Sequence, residues 1–268
     1  MMTALWTAAS GMVGQQRNVD IIANNLANAN NASFKSDRGE FKDLLYQTMN
    51  RATLLDGVGT PVNLQVGHGS TVVASIKNFA TGSFDRTDDP LNVAIDGSSF
   101  FMVQNSPEEV TYSRDGSFKI SITASGNTLS TTDGSPILDT AGQPITFPAE
   151  VDISRLIISA SGELSYNDNS GTPVPLGQSI GLVKFQNVYA LESIGRNMYR
   201  SNSASGAAVP DGELGLRSNL QQFFLESSNV QTVREMVNLI VAQRAYEINS
   251  KAITSSDEML GIANNLKR

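Results

Sequence analysis

The chain has 268 residues, 17% of them charged, and 19 Lys and Arg against 26 Asp and Glu leave a net charge of −7. That length suits one large domain or two modest ones, and the acidic balance excludes a basic nucleic-acid footprint. With no Cys and one His, His68, disulfides, thiolate metal sites, a Cys nucleophile and a His-cluster metal site are all excluded, so no cofactor or metal is expected.

The N-terminal stretch from Met1 to Trp6 lacks a basic region followed by a long apolar core. It does not read as a cleavable signal, so the protein is expected to stay in the cytoplasm or to leave by a route that needs none. No run of about 18 apolar residues exists, so no transmembrane helix is expected. Leu5, Met12, Val19 and Leu26 recur every seven residues, with Ala8, Ile22 and Ala29 three positions after three of them. This stripe predicts a helix with a packing seam over the first 30 residues. Much of the seam is Ala, and Gly11 and Gly14 interrupt it, so the helix is expected to be marginal alone. The Asn residues at 24, 25, 28, 30 and 31 read as its termination.

Phe41, Leu44, Leu45 and Tyr46 suggest a short helical turn, and residues 47–70, with five glycines and prolines in 57–69, read as irregular. From 71 the period becomes two: Leu91, Val93, Ile95, then Val110, Tyr112, then Phe118, Ile120, Ile122. Asp-Gly at 96–97, 115–116 and 133–134, and Ser-Gly at 125–126 and 161–162, mark tight turns. Residues 71 to about 222 are expected to be an antiparallel β domain that is stable alone.

The C-terminal stretch carries the strongest period. Val241, Ala245, Ile248, Ala252, Ser255, Met259, Ile262 and Leu266 alternate by four and three, and Val230, Val233 and Val237 extend the stripe upstream. The pattern predicts a helix over 229–266, roughly 55 Å long, with Ser227-Ser228-Asn229 as its N-cap region and Lys267 and Arg268 at the end where the dipole favours cations. A helix that long must project or pair with another. The fold class is therefore α+β: paired terminal helices as a stalk, an extended connector and an inserted antiparallel β domain. The expected divisions are 1–33 plus 226–268 for the helical domain, 34–70 for the connector and 71–225 for the β domain.

No catalytic constellation stands out. Asp88-Asp89 and Glu108-Glu109 lie beside prolines and read as solvated turns rather than acid–base pairs. His68 sits between two glycines with no second ligand. No phosphate-binding glycine loop or nucleophile elbow occurs. A hydrolase using the Asp88-Asp89 loop is thereby a weak reading. Ala-rich helical seams with few charges point instead to assembly between molecules.

Several segments together resemble bacterial flagellar rod and hook proteins. At the N-terminus these are Ala8-Ala9-Ser10-Gly11-Met12 with Gln15-Gln16, the run Ala23 to Asn28, and Phe34-Lys35. At the C-terminus they are Leu225 to Val230, Glu235 to Ile240 and Gln243 to Glu247. Leu64 to Gly67, Leu91 to Gly97 and Phe100-Phe101 continue the resemblance inward. Within that family the match is best to distal-rod members. The alternatives are a proximal-rod paralogue with a single β domain and a soluble module whose β domain binds carbohydrate or peptide. Ala29 stands where a Val is usual, Asn31-Ala32-Ser33 replaces a segment often ending in Gly, and residues 120–210 match loosely.

The resemblance implies a structural protein rather than an enzyme. It implies a rod spanning the periplasm in the basal body, with export through the flagellar apparatus and no cleaved signal. It also implies partners: copies of itself, proximal rod proteins, the hook protein and the surrounding ring proteins. The expected assembly residues are Leu5, Met12, Val19, Ile22 and Leu26 on the first helix. On the last helix they are Val233, Val237, Val241, Ala245, Ile248, Ala252, Met259, Ile262 and Leu266. Residues 47–63 resemble an extra stretch of distal-rod subunits, and Leu54, Leu55 and Val58 are expected to dock it as an inter-subunit arm that stiffens the rod.

Overall fold

The computed structural model describes residues 2–50, 63–106, 109–123, 126–148, 153–168 and 172–265. It contains two long helices and many antiparallel strands, so the chain is α+β. The chain divides into two compact units, each assembled from separated segments. A helical unit takes Met1–Ala27, Asp37–Asn78 and Gln231–Arg268, and a β unit takes Asn28–Ser36 and Phe79–Val230.

In the helical unit, α1 spans Met2–Ala27 and α2 spans Thr232–Asn265, and the two pack against each other. Strands β1 (Asp37–Asp43), β2 (Tyr46–Asn50), β3 (Leu64–Gly67) and β4 (Ser70–Lys77) form one antiparallel ribbon. β1 pairs with β4 from Asp37↔Lys77 to Asp43↔Ser70, and β2 pairs with β3 from Tyr46↔Gly67 to Asn50↔Leu64. The Leu44 amide donates to the Gly69 carbonyl at 2.8 Å and the His68 amide to the Leu45 carbonyl at 3.3 Å, joining the two halves.

This ribbon corrects two expectations. Residues 41–46 are not a helical turn, and residues 47–70 are not irregular where described. The three-and-four spacing of Phe41, Leu44 and Leu45 imitates a helix, but β-branched Thr71, Val72 and Val73 lie on the opposing strand and draw the segment into pairing. Glycine governs where the ribbon meets α1. The Phe41 ring lies 3.3 Å from the position of a Cβ on Gly14, and the Ile21 side chain 3.2 Å from that of Gly39. Asn25, buried at the end of α1, clamps the start of β1: its Nδ2 donates to the Asp37 carbonyl and its Oδ1 accepts from the Asp37 amide, both at 2.8 Å.

The β unit begins at Phe79 rather than 71, because β4 is committed to β1, and it also claims Asn28–Ser36. Its strands are β5 (Phe84–Arg86), β6 (Val93–Asp96), β7 (Phe100–Ser106), β8 (Glu109–Ser113), β9 (Lys119–Thr123), β10 (Gly126–Ser130), β11 (Thr146–Phe147), β12 (Leu156–Ile158), β13 (Glu163–Asn167), β14 (Pro173–Ser179), β15 (Leu182–Lys184), β16 (Glu192–Gly195), β17 (Met198–Arg200), β18 (Val209–Pro210), β19 (Asn219–Gln222) and β20 (Phe224–Glu226). The largest sheet has the order β16-β17-β8-β7-β15-β18. Smaller sheets are β9-β10-β11, β12-β13-β14, β6-β19 and β5-β20.

Val93, Ile95, Phe101, Phe118, Leu129 and Ile137 are fully buried in the main core. Phe100, Tyr112, Phe185 and Tyr199 make a second cluster with edge-on ring contacts, the arrangement the ring quadrupole favours. Leu91, Val93 and Ile95 are buried as the period of two predicts, but Asn92 and Ala94 between them are buried as well, and Val110 and Ile122 are exposed. Gly97, Gly134 and Gly162 take positive φ at their turns. Gly116 does not; it is required because a Cβ there would lie 1.6 Å from the Val93 carbonyl oxygen.

Candidate assembly surface

Helix α2 has two faces. Apart from Ser250, its least exposed positions are Glu235, Leu239, Ala242, Ala245, Asn249, Ile253, Ser256 and Leu260, at intervals of three and four. Ala242 and Ser256 are the buried ones. α1 is the element packed on α2, and at Gly11 the two come close enough for Asn249 to cover the glycine. Small side chains on both helices permit this approach, as in other close helix pairs.

The other face carries large apolar residues in the open. Val233, Val237, Val241, Ile248, Met259 and Ile262 are all exposed, Val233 at 74% and Ile248 at 65%. Met236 and Ile240 add to it, and on α1 Trp6 is 70% exposed. A soluble monomer seldom leaves so many large apolar side chains of one helix in water, even with Arg244 and Glu247 among them. Of the expected assembly residues, then, those on α2 lie mostly on the open face. Ala252 is exposed and Ala245 half-buried. On α1, Ile22 is buried and Leu5, Met12, Val19 and Leu26 are half-buried within the helical unit. Leu266 and the expected arm residues Leu54, Leu55 and Val58 lie outside the described residues, as do Lys267 and Arg268.

The expected N-cap is corrected. Val230 and Ser227 to Asn229 belong to the β unit and are not helical. The Asn229 side chain is spent there, its Oδ1 accepting from the Ser36 amide at 2.9 Å and its Nδ2 donating to the Ala80 carbonyl at 3.1 Å.

Sequence reasoning missed a charge cluster inside the β unit. Glu226, at the end of β20, is fully buried. Its Oε1 accepts from Lys35 Nζ at 2.5 Å and from the Gly82 amide at 2.9 Å, and its Oε2 accepts from Arg114 Nε at 3.3 Å. Lys35 is fully buried and also donates to the Ala80 carbonyl at 2.9 Å. Arg114 is 1% exposed, donates to the Gly97 carbonyl at 2.8 Å and stands over the Phe100 ring at 5.6 Å. Ser33, at a φ of 57°, ties into the same cluster: its amide donates to the Glu226 carbonyl and its hydroxyl to the Arg114 carbonyl. Burial, reinforced by the Arg114 charge, lowers the Lys35 ammonium to about 8, with Glu226 opposing the shift.

The acidic pair expected to be a solvated turn is partly structural. Partial burial would raise the Asp89 carboxyl, but hydrogen bonds from Lys119 and the Leu91 amide outweigh it and hold the group below the usual carboxylate range. Glu109 pairs with Arg200 at 2.6 Å.

Comparison with known proteins places these features in a family. Residues 5–35 match the family described as flagella basal body rod protein. Residues 94–166 match the flagellar hook protein FlgE/F/G D1 domain, and residues 221–266 the flagellar basal body rod FlgEFG protein C-terminal. Lys35, Arg114 and Glu226 each fall within one of these three segments. Flagellar basal-body rod protein FlgG of Borreliella burgdorferi is 46% identical, with all of both chains covered. The proteins of the same description from Caulobacter vibrioides and Bacillus subtilis are 40% and 37% identical, covering 99% and 100% of this chain and all of their own length. Full-length identity at that level shows the family: the chain belongs to the flagellar basal-body rod proteins of the FlgG type.

Proposed function

We propose that this flagellar rod subunit builds the distal rod by helical stacking through the open face of α2. The observation that carries this reading is the division of labour on that helix. Ala242, Asn249 and Ser256 serve the contact with α1, and Val233, Val237, Val241, Ile248, Met259 and Ile262 are left for other copies. Burying one such side chain contributes roughly 1.5–3 kcal/mol, so a row of them offsets the ordering cost of adding a subunit. The contact joins two different surfaces, α2 of one copy and a neighbour's helical unit, and repetition of such a heterologous contact gives a helical polymer. Proximal rod proteins and the hook protein meet the two ends of the stack, ring proteins surround it, and the rod spans the periplasm after export without a cleaved signal.

Two substitutions in the full chain test this. Ile248→Asp places a charge on the open face and is expected to shift monomer stability by less than about 0.5 kcal/mol while abolishing rod assembly and motility. Ala242→Asp places it against α1 and is expected to unfold the helical unit. Normal rods from Ile248→Asp overturn the reading.

A further inference from the structure

We propose that Glu226 is the closing lock of the β unit: while Lys35 and Arg114 are both present as buried cations, the unit holds its folded state only when residue 226 brings its carboxylate to them. The inference is independent of the rod reading. The three groups come from the beginning, middle and end of the unit, with Glu226 separated by 191 residues from Lys35 and by 112 from Arg114. Among the described residues, Glu226 is the ion-pair partner of both cations. All three side chains are 0–1% exposed, so water does not solvate them.

The charge count is unusual. Two cations and one carboxylate leave the buried cluster at +1. Removing the carboxylate leaves two unpaired cations together in the interior, where an uncompensated charge is strongly destabilising. The lowered Lys35 pKa agrees with a cluster already short of negative charge. Backbone hydrogen bonds join at the same place: Ser33 to Glu226, Ser227 to Ser83 and Asn229 to Phe34. The last residues of the unit thus bind its first ones, and β20 pairs with β5 beside them. A chain ordered up to β19 but lacking Glu226 holds two cations that have carbonyl acceptors but no carboxylate to balance their charge, so closure waits for residue 226.

The lock makes a prediction from charge alone. Lys35→Met gives a net charge of 0, wild type +1, the double variant Lys35→Met/Glu226→Gln +1 and Glu226→Gln +2. The Ala80 carbonyl that Lys35 serves keeps the Asn229 donor in all four. Hydrogen exchange on the four full-length proteins reads the opening of the β unit through the amides of Leu129, Ile137 and Ile145, which are bonded across the core. Glu226→Gln is expected to raise the open fraction by about 100-fold or more, with amides of α1 and α2 unchanged. Adding Lys35→Met is expected to recover most of that loss, and Lys35→Met alone to match or exceed wild type. If the three groups matter only as hydrogen-bonding and packing partners, the double variant is more open than either single one, and the lock is refuted. Unchanged exchange in Glu226→Gln refutes it as well. Should Glu226→Gln fail to fold, a folded double variant supports the lock and an unfolded one overturns it.

Discussion

Asn249 closes over Gly11: its Nδ2 lies 2.8 Å from the position a β-carbon on Gly11 would occupy. The contact defines how near α1 and α2 run. It is made by the end of a side chain, so it has some give, and backbone does not meet backbone there.

Gly11→Ala is therefore expected to be close to neutral. The added methyl displaces the Asn249 amide, and the helix gains up to about 1 kcal/mol from replacing an interior glycine. Gly11→Leu has no such escape and should wedge the helices apart, lowering the melting temperature read by helical circular dichroism. Trimming the partner with Asn249→Ala should recover part of that loss. Equal melting of Gly11→Leu and wild type would show that the pair is not held at this point.

Gly116 presents the opposite case. The atom in the way is the Val93 carbonyl oxygen, and the Val93 amide itself donates to the Gly116 carbonyl at 3.0 Å. Gly116→Ala has to move β6, the strand that carries Val93 and Ile95 into the core. A loss of about 3 kcal/mol is expected from such overpacking. Gly134→Ala, at a turn with φ of +86° and open space around it, is expected to cost about 1 kcal/mol. Urea midpoints of the two variants check the contrast.

Stability should depend on pH through Lys35. Its folded-state pKa of about 8 lies below the ordinary lysine value of 10.5. Between those values the unfolded chain binds more protons than the folded one, so the contribution of this group grows as pH rises from about 8 towards 10.5 and is absent below 8. The full effect is on the order of 3 kcal/mol. Denaturation midpoints at pH 7.5 and 10 should rise for wild type relative to Lys35→Met. A parallel response in both proteins would place the titration elsewhere.

Much of this architecture was legible in the residues. The spacing of Val241, Ile248 and Met259 announced α2 to within three residues of its start, because a helix over several turns repeats its signal many times. Which face docks inside was not legible. The eye goes to Val and Ile, but the two buried positions of the inward face are Ala242 and Ser256, and Asn249 on that face acquires a role only once Gly11 is known to lie opposite. The ribbon at 37–77 was missed because its pairing is between segments far apart in sequence, while the local spacing of Phe41 and Leu44 imitates a helical turn. Lys35 and Glu226 were read as parts of separate terminal motifs. Nothing local in either motif shows that the two side chains meet.

The two compact units interleave along the chain, which passes between them after Ala27, Ser36, Asn78 and Val230. A single cut at any one of these crossings therefore frees neither unit. A nick after Asn78, for instance, gives two pieces on a denaturing gel, yet the stretch 28–36 still inserts into the β unit through Ser33 and Lys35. A fragment limited to 71–222 would lack those two residues and Glu226 as well. Anyone cutting this protein into parts for separate study has no contiguous stretch that contains the β unit and nothing else. The shortest stretch that includes it all, 28–230, takes the ribbon strands β1 to β4 along without α1, the helix on which β1 and β4 rest.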